Sequence, residues 1–221
     1  RVYLAGMNKT LFTSFAVCSL FALPAVAAKK SLTVPVTMIT ATGAGESVGT
    51  IDISEDKKGI VLKAKLKGLP PGEHGFHLHE NPSCDPAPKD GVATAGHAAG
   101  AHYDPAGTKA HKGPGGGGHK GDLPKLDVTK AGKPKQPTMK VEGLTLADVA
   151  GRSIMIHEGG DNYSDTPAPL GGGGARIACG VIPALDATAD TKPGKADKAA
   201  GAPGKADKAA PPAGKPDGGG K

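Results

Sequence analysis

Alternation of apolar and polar residues dominates the middle of the chain. In "LTVPVTMITA" (32–41), "SVGTIDISE" (47–55) and "GIVLKAKLKGL" (59–69), β-branched enrichment and period-two patterning predict half-buried strands. The third is the clearest. Val61, Lys63, Lys65 and Lys67 alternate with Leu62, Ala64, Leu66 and Gly68, giving one wet face and one dry face. The same reading predicts strands at 73–80, around 124–129, around 138–142, at "RSIMIHE" (152–158) and at "ARIACGVI" (175–182). Only "LTLADVA" (144–150) is patterned as a helix, and it is short. Eight short strands joined by Gly- and Pro-rich connections predict an all-β antiparallel sandwich or barrel. Two connections, about 81–122 and 159–174, are too long for turns, and loops of that size in a compact domain usually carry function.

The pattern stops at both ends. "MNKTLFTSFAVCSLFALPAVAAKK" places Lys9 before an apolar run from Leu11 to Leu23 and an A-x-A-like "AVA" at 25–27. This order predicts a signal peptide over 1–28, cleaved near Ala27 or Ala28, with Met7 as the start and 1–6 as an upstream artefact. The run is too short for a transmembrane segment. The other end repeats "PGKADKAAGA" as "PGKADKAAPP" with no large apolar residue, which predicts a disordered tail over 184–221. A solvated spacer is the simplest role for it; contact with an anionic cell envelope is the functional one. One domain remains, 29–183, in a periplasmic or secreted protein.

Composition narrows the class. Between 29 and 183 the aromatic residues are Phe76, Tyr103 and Tyr163, so the core must come from Val, Ile, Leu, Met and Ala. A net charge of +6 with no basic stripe interleaved with aromatics argues against nucleic acid as a partner. Of the three cysteines, Cys18 lies in the signal segment, which leaves Cys84 and Cys179. An even pair in an oxidising compartment predicts a disulfide. Closing so long a loop is worth about 4–5 kcal/mol in the chain-entropy picture.

"GEHGFHLHENPSC" (72–84) holds three of the chain's eight histidines. In a strand, His77 and His79 stand on one face, with Phe76 and Leu78 turned the other way. His102, His111, His119, Asp122 and His157 are the other candidate ligands. His119 and Asp122 are three apart in "HKGD", close enough for a turn to bring both to one ion. Three histidines and a carboxylate suit a closed zinc shell. A nitrogen-only set favours copper. Imidazole has two nitrogens, so one histidine can serve both metals. His97 reads as a plain loop residue.

At this point a resemblance covers essentially all of 31–182. "GFHLHE", "GAHYDP", "HKGDLP", "IMIHEGGDNYSD" and "GGGGARIACGVI", in this order, closely resemble the copper/zinc superoxide dismutases in their bacterial exported form. The resemblance implies an eight-stranded antiparallel Greek-key β-barrel with two long functional loops. It makes His77, His79, His102 and His157 the copper ligands. His102 is also the bridging imidazolate, completing a zinc site with His111, His119 and Asp122. Asp161 matches a carboxylate linking a copper-ligand histidine to a zinc-ligand histidine, and His74 a histidine that braces the loops. Arg176 matches the active-site arginine, Cys84 and Cys179 the family's disulfide. The substrate implied is superoxide. Lys89, Lys109, Lys112 and Lys120 are candidates to steer it, and homodimers as well as monomers fit the family. The "GGGG" at 171–174 reads as a flexible channel wall. A secreted copper/zinc buffer without turnover is the alternative; Arg176 and the His102 bridge are features that it does not need.

Overall fold

The computed structural model describes residues 31–185. The signal segment and all but the first two residues of the tail lie outside the described residues. The first three strands form a meander: β1 (Ser31–Thr40), β2 (Gly43–Glu55) and β3 (Gly59–Leu66). Along β3 every second residue is buried, with Leu62, Ala64 and Leu66 inside and Lys63 and Lys65 outside. The predicted strand at 73–80 breaks into β4 (Gly72–His74) and β5 (Phe76–His79). Gly75 at the break spends its main-chain groups on the second long loop and its edge. It donates to the Gly159 carbonyl and accepts from the His157 N–H.

Within the predicted loop 81–122 lie a small hairpin, β6 (Ala87–Lys89) with β7 (Val92–Thr94), and a 3₁₀ turn at His97–Ala99. The chain then forms β8 (Leu126–Val128), β9 (Thr138–Glu142), the one-turn helix α1 (Leu146–Val149), β10 (Ser153–His157) and β11 (Arg176–Val181). The order β5–β10–β11–β1–β2–β3–β9 builds one curled antiparallel sheet, and β4, which runs on into β5 through Gly75, pairs with β8 in a second, two-stranded sheet. Residues returning from β8 pair back on it, Val128 opposite Pro134, before entering β9, so the sheet nearly closes on itself. The crossing from β3 to β4 is the Greek-key connection. Counting β4 and β5 as one bent strand and leaving out the loop hairpin, the barrel has the eight strands expected.

Val34, Val36, Ile51, Ile53, Ile60, Leu62, Leu78, Ile154 and Ile156 fill the barrel around Phe76. Each such side chain contributes about 1.5–3 kcal/mol on burial. β5 and β10 are buried along their whole length. They are covered on both faces: Phe76, Leu78, Ile154 and Ile156 point into the barrel, while His77, His79, Met155 and His157 point outward beneath the long loops. Cys84 is bonded to Cys179, tying the first long loop to β11 on this outer wall. The site therefore lies between barrel and loops, with a rigid sheet behind it.

Candidate metal centre

The first long loop returns past β5 twice. His102 sits opposite His79, and Asp122 sits opposite His77. The crossings are fixed by main-chain bonds from Tyr103 to Leu78 (2.8 Å), Leu78 to Gly121 (2.9 Å) and Gly121 to Tyr103 (2.8 Å). Gly121 is pressed so closely on the Leu78 carbonyl that a side chain there would collide with it. These crossings gather ligand atoms into two groups, His77/His79/His102/His157 and His102/His111/His119/Asp122, each with its atoms within 4.8 Å of one another. His102 belongs to both.

The two nitrogens of each ring are divided between an outer partner and the interior. His77 Nε2 donates to Asp161 Oδ2 (2.7 Å) and His111 Nε2 to Asp161 Oδ1 (2.8 Å), so one carboxylate spans both groups. His79 Nδ1 donates to the Gly100 carbonyl at 2.9 Å and His157 Nδ1 to that of Gly174 at 3.3 Å. The nitrogens left over all point inward. His77 Nδ1, His79 Nε2, His102 Nε2, His111 Nδ1 and His157 Nε2 are buried without a hydrogen-bond partner. An unsatisfied buried polar atom costs about 1–3 kcal/mol. Five in one place are accounted for by cations that accept their lone pairs. Asp122 Oδ1 lies 3.1, 3.0 and 3.2 Å from Nδ1 of His102, His111 and His119. Ligand atoms of a tetrahedral zinc shell stand about 3.3 Å apart, so this set fits zinc and the all-nitrogen set fits copper.

Burial favours the neutral form, the one that binds metal, in His77, His79, His102 and His157. It holds His79 well below its usual range and, reinforced by neighbouring rings, takes His102 to about 4 and His157 to about 3. Burial works to raise Asp161, but hydrogen bonds from His77 and His111 outweigh it and hold the carboxyl below the usual range. The unfolded chain takes up protons near pH 6.5 that the fold refuses. The metal-free protein should therefore lose stability as pH falls below about 6.5. Between pH 6.5 and 4.5 the loss should be about 2–3 kcal/mol for each of His102 and His157. Thermal melts of the metal-free chain across that range check this, and a flat melting temperature would contradict it.

Above the nitrogen set opens a cavity of about 620 Å³, lined by His102, His157, Arg176, Lys89, His97 and Leu170 among others. The half-buried Arg176 guanidinium is held by the Gly96 and Gly100 carbonyls, at 2.6 and 2.7 Å. Gly100 thus serves both Arg176 and His79. Of the candidate steering lysines, Lys89 lines the cavity, whereas Lys120 Nζ is bound to Asp148 (2.9 Å). His97 opens the 3₁₀ turn and faces the cavity. The ring nitrogens of His74 face the carbonyls of His157 and Pro70, both at 2.8 Å, so it braces β10 against the loop before β4.

Two glycines of the run 171–174, Gly171 and Gly173, are packing surfaces. A side chain at Gly171 would collide with Asp161 and His111, and one at Gly173 would crowd the His157 ring; Gly174 alone of the four lines the cavity. Sequence reasoning passed over Asp165, whose carboxylate accepts the His111 N–H (2.8 Å). Its setting, "SDTP", carries no signal beyond that of a turn.

Two adjoining groups of candidate ligands sharing one imidazole, on the outer wall of a Greek-key barrel, fit a dinuclear metal centre. Residues 47–182 match the family model for copper/zinc superoxide dismutase. The superoxide dismutase [Cu-Zn] of Brucella melitensis is 50% identical over 176 residues, 80% of this chain and 99% of that protein. The Escherichia coli K12 protein of the same name is 49% identical over 149 residues, 67% of this chain and 86% of that one. The solved Cu/Zn superoxide dismutase from Brucella abortus superposes with a TM-score of 0.67 at 52% identity, covering 69% of this chain and 99% of that structure. The chain belongs to the copper/zinc superoxide dismutase family. No helix among the described residues is long and apolar enough to cross a membrane.

Proposed function

We propose that this protein dismutates superoxide, turning two superoxide anions and two protons into dioxygen and hydrogen peroxide. His77, His79, His102 and His157 would hold copper; His102, His111, His119 and Asp122 would hold zinc. Copper held there would supply the one-electron redox couple, and zinc, which has no redox chemistry, would hold His102. The remaining work falls to the chain. His102 Nε2 takes up a proton in one half-cycle and gives it to the nascent peroxide in the other, with Nδ1 kept on the Asp122 side. Asp161 holds the tautomers of His77 and His111, so that Nδ1 of each faces inward. Arg176, immobilised by two carbonyls, presents a fixed cation to a small anion entering the cavity.

The observation that carries this reading is His102 shared between both groups with Arg176 beside it at the cavity. A metal buffer needs neither. The test is the dismutation rate of the full chain loaded with copper and zinc. Arg176→Ala should retain both metals and lose about tenfold in rate at low ionic strength, with a weaker salt dependence than the parent. A parent protein that binds both metals yet removes superoxide no faster than its spontaneous decay would leave metal buffering as the function.

We assign the protein to the periplasm or exterior, on the signal-like segment 1–28 and the Cys84–Cys179 bond, which belongs to oxidising compartments. The domain is then 29–183, with 184–221 a spacer whose alternative role is envelope contact. The sequence leaves monomer and homodimer open, and the similar Salmonella enterica protein is monomeric.

A further inference from the structure

We propose that Arg152 and Asp148 are positioning residues for the metal centre, clamping from outside the residues that follow His79, His102 and His119 in the chain. The inference rests on the reading of those three histidines as ligands.

His79 and His102 face each other across an isolated antiparallel bridge rather than within a continuous ladder. Around it run a bond from Tyr103 N–H to the Leu78 carbonyl (2.8 Å) and one from Glu80 N–H to the Ala101 carbonyl (3.1 Å). With one from Asn81 N–H to the Ala99 carbonyl (2.9 Å), these bonds fix the crossing of the main chain. Arg152, between α1 and β10, adds a side-chain constraint from outside it. Its guanidinium carbon lies 3.5 Å from the centroid of the Tyr103 ring, a stacked cation–π contact. In the same plane Nη1 donates to the Glu80 carbonyl (3.1 Å) and Nε to the Asp148 carbonyl (2.6 Å). One rigid group therefore touches the residue after His79 and the residue after His102.

Asp148 extends the clamp to the other shell. Its Oδ1 accepts from Lys120 Nζ, the residue after His119, at 2.9 Å and lies 3.5 Å from the Tyr103 hydroxyl. Its Oδ2 is fixed by the Thr145 N–H and hydroxyl, at 2.9 and 2.8 Å, in the capping box of α1. A one-turn helix has little stability of its own. Here it holds a carboxylate against two chain segments that carry ligands. Stacking and in-plane donation at once need a planar fork, which lysine lacks.

The experiment uses the full chain loaded with copper and zinc, with circular dichroism as the check on folding. Arg152→Ala should still bind both metals but show a changed Cu(II) electron paramagnetic resonance spectrum. Its rate should fall roughly threefold to tenfold, less than the 10–100-fold typical of a group touching the ligand ring itself. Arg152→Lys keeps the charge and should behave like Arg152→Ala. Tyr103→Leu removes the stacking surface and should shift the same spectrum, which keeps the test open if Arg152→Ala does not fold. Asp148→Asn should instead alter the visible absorption of Co(II) placed in the zinc position. A Cu(II) spectrum in Arg152→Ala that superposes on the parent's, or full recovery in Arg152→Lys, would overturn the clamp. Failure of the parent to bind copper and zinc would sink the functional reading instead, so the two failures are distinguishable.

Discussion

Asp161→Asn is expected to weaken both halves of the centre at once, although the side chain keeps its size. The carboxylate accepts one N–H from His77 and one from His111, with an oxygen for each. Asparagine has one oxygen. Its amide nitrogen must then face an Nε2–H of one of the two rings, donor against donor. That ring can relieve the clash by moving its proton to Nδ1, the nitrogen that faces inward. A proton on the inward nitrogen removes a metal ligand. Loss of such an outer partner typically costs 10–100-fold in metal affinity or activity, so a 100-fold drop in dismutation rate is the expected scale. Metal content after dialysis against a chelator, with the rate, measures it. Parent-like metal content and rate in Asp161→Asn would mean that the carboxylate does not set the tautomers.

Much of this arrangement was legible in the sequence because strands repeat every two residues. Alternation along β3 and in "FHLH" fixes which residues face the barrel, and therefore which pair of imidazoles faces out. The candidate ligands His77, His79, His102, His111, His119, Asp122 and His157 lie in two adjoining groups, since ligand shells require particular side chains at particular places. What escaped has physical reasons. The break at Gly75 comes from main-chain bonds to Gly159 and His157, partners more than 80 residues away that leave no periodic mark. The β6–β7 hairpin does carry a signal, Asp90-Gly91 with both φ positive, as a type I′ turn requires. Its three-residue arms lack the alternating hydrophobics that would have lifted it above the loop. The glycines at 171–174 look uniformly flexible in composition, but close approach to Asp161 demands one at 171, and the His157 ring leaves little room at 173. Arg152 and Asp148 look like ordinary charged residues at a helix corner until the fold places Tyr103 and Lys120 against them.

Removal of the disulfide should have the largest effect on stability. Cys84 and Cys179 are 95 residues apart, and a crosslink over that span removes about 4–5 kcal/mol of freedom from the unfolded chain. For a domain of this size each kcal/mol moves the melting temperature by about 2–4 °C, so Cys84→Ala/Cys179→Ala should melt roughly 10–20 °C lower when metal-free. With copper and zinc bound the difference should shrink, because the metals staple the same loop to β5 and β10 by binding the fold and not the unfolded chain. Activity should fall by more than metal content does. Cys84 anchors the segment whose Gly96 and Gly100 carbonyls hold the Arg176 guanidinium, and Gly100 also orients His79. Releasing the segment loosens the cation at the cavity while most ligands stay on the sheet. Melting curves in both metal states, read beside the rate, separate these effects. A metal-free double variant melting within 3 °C or so of the parent would show that the loop is held by its other contacts and that the crosslink adds little.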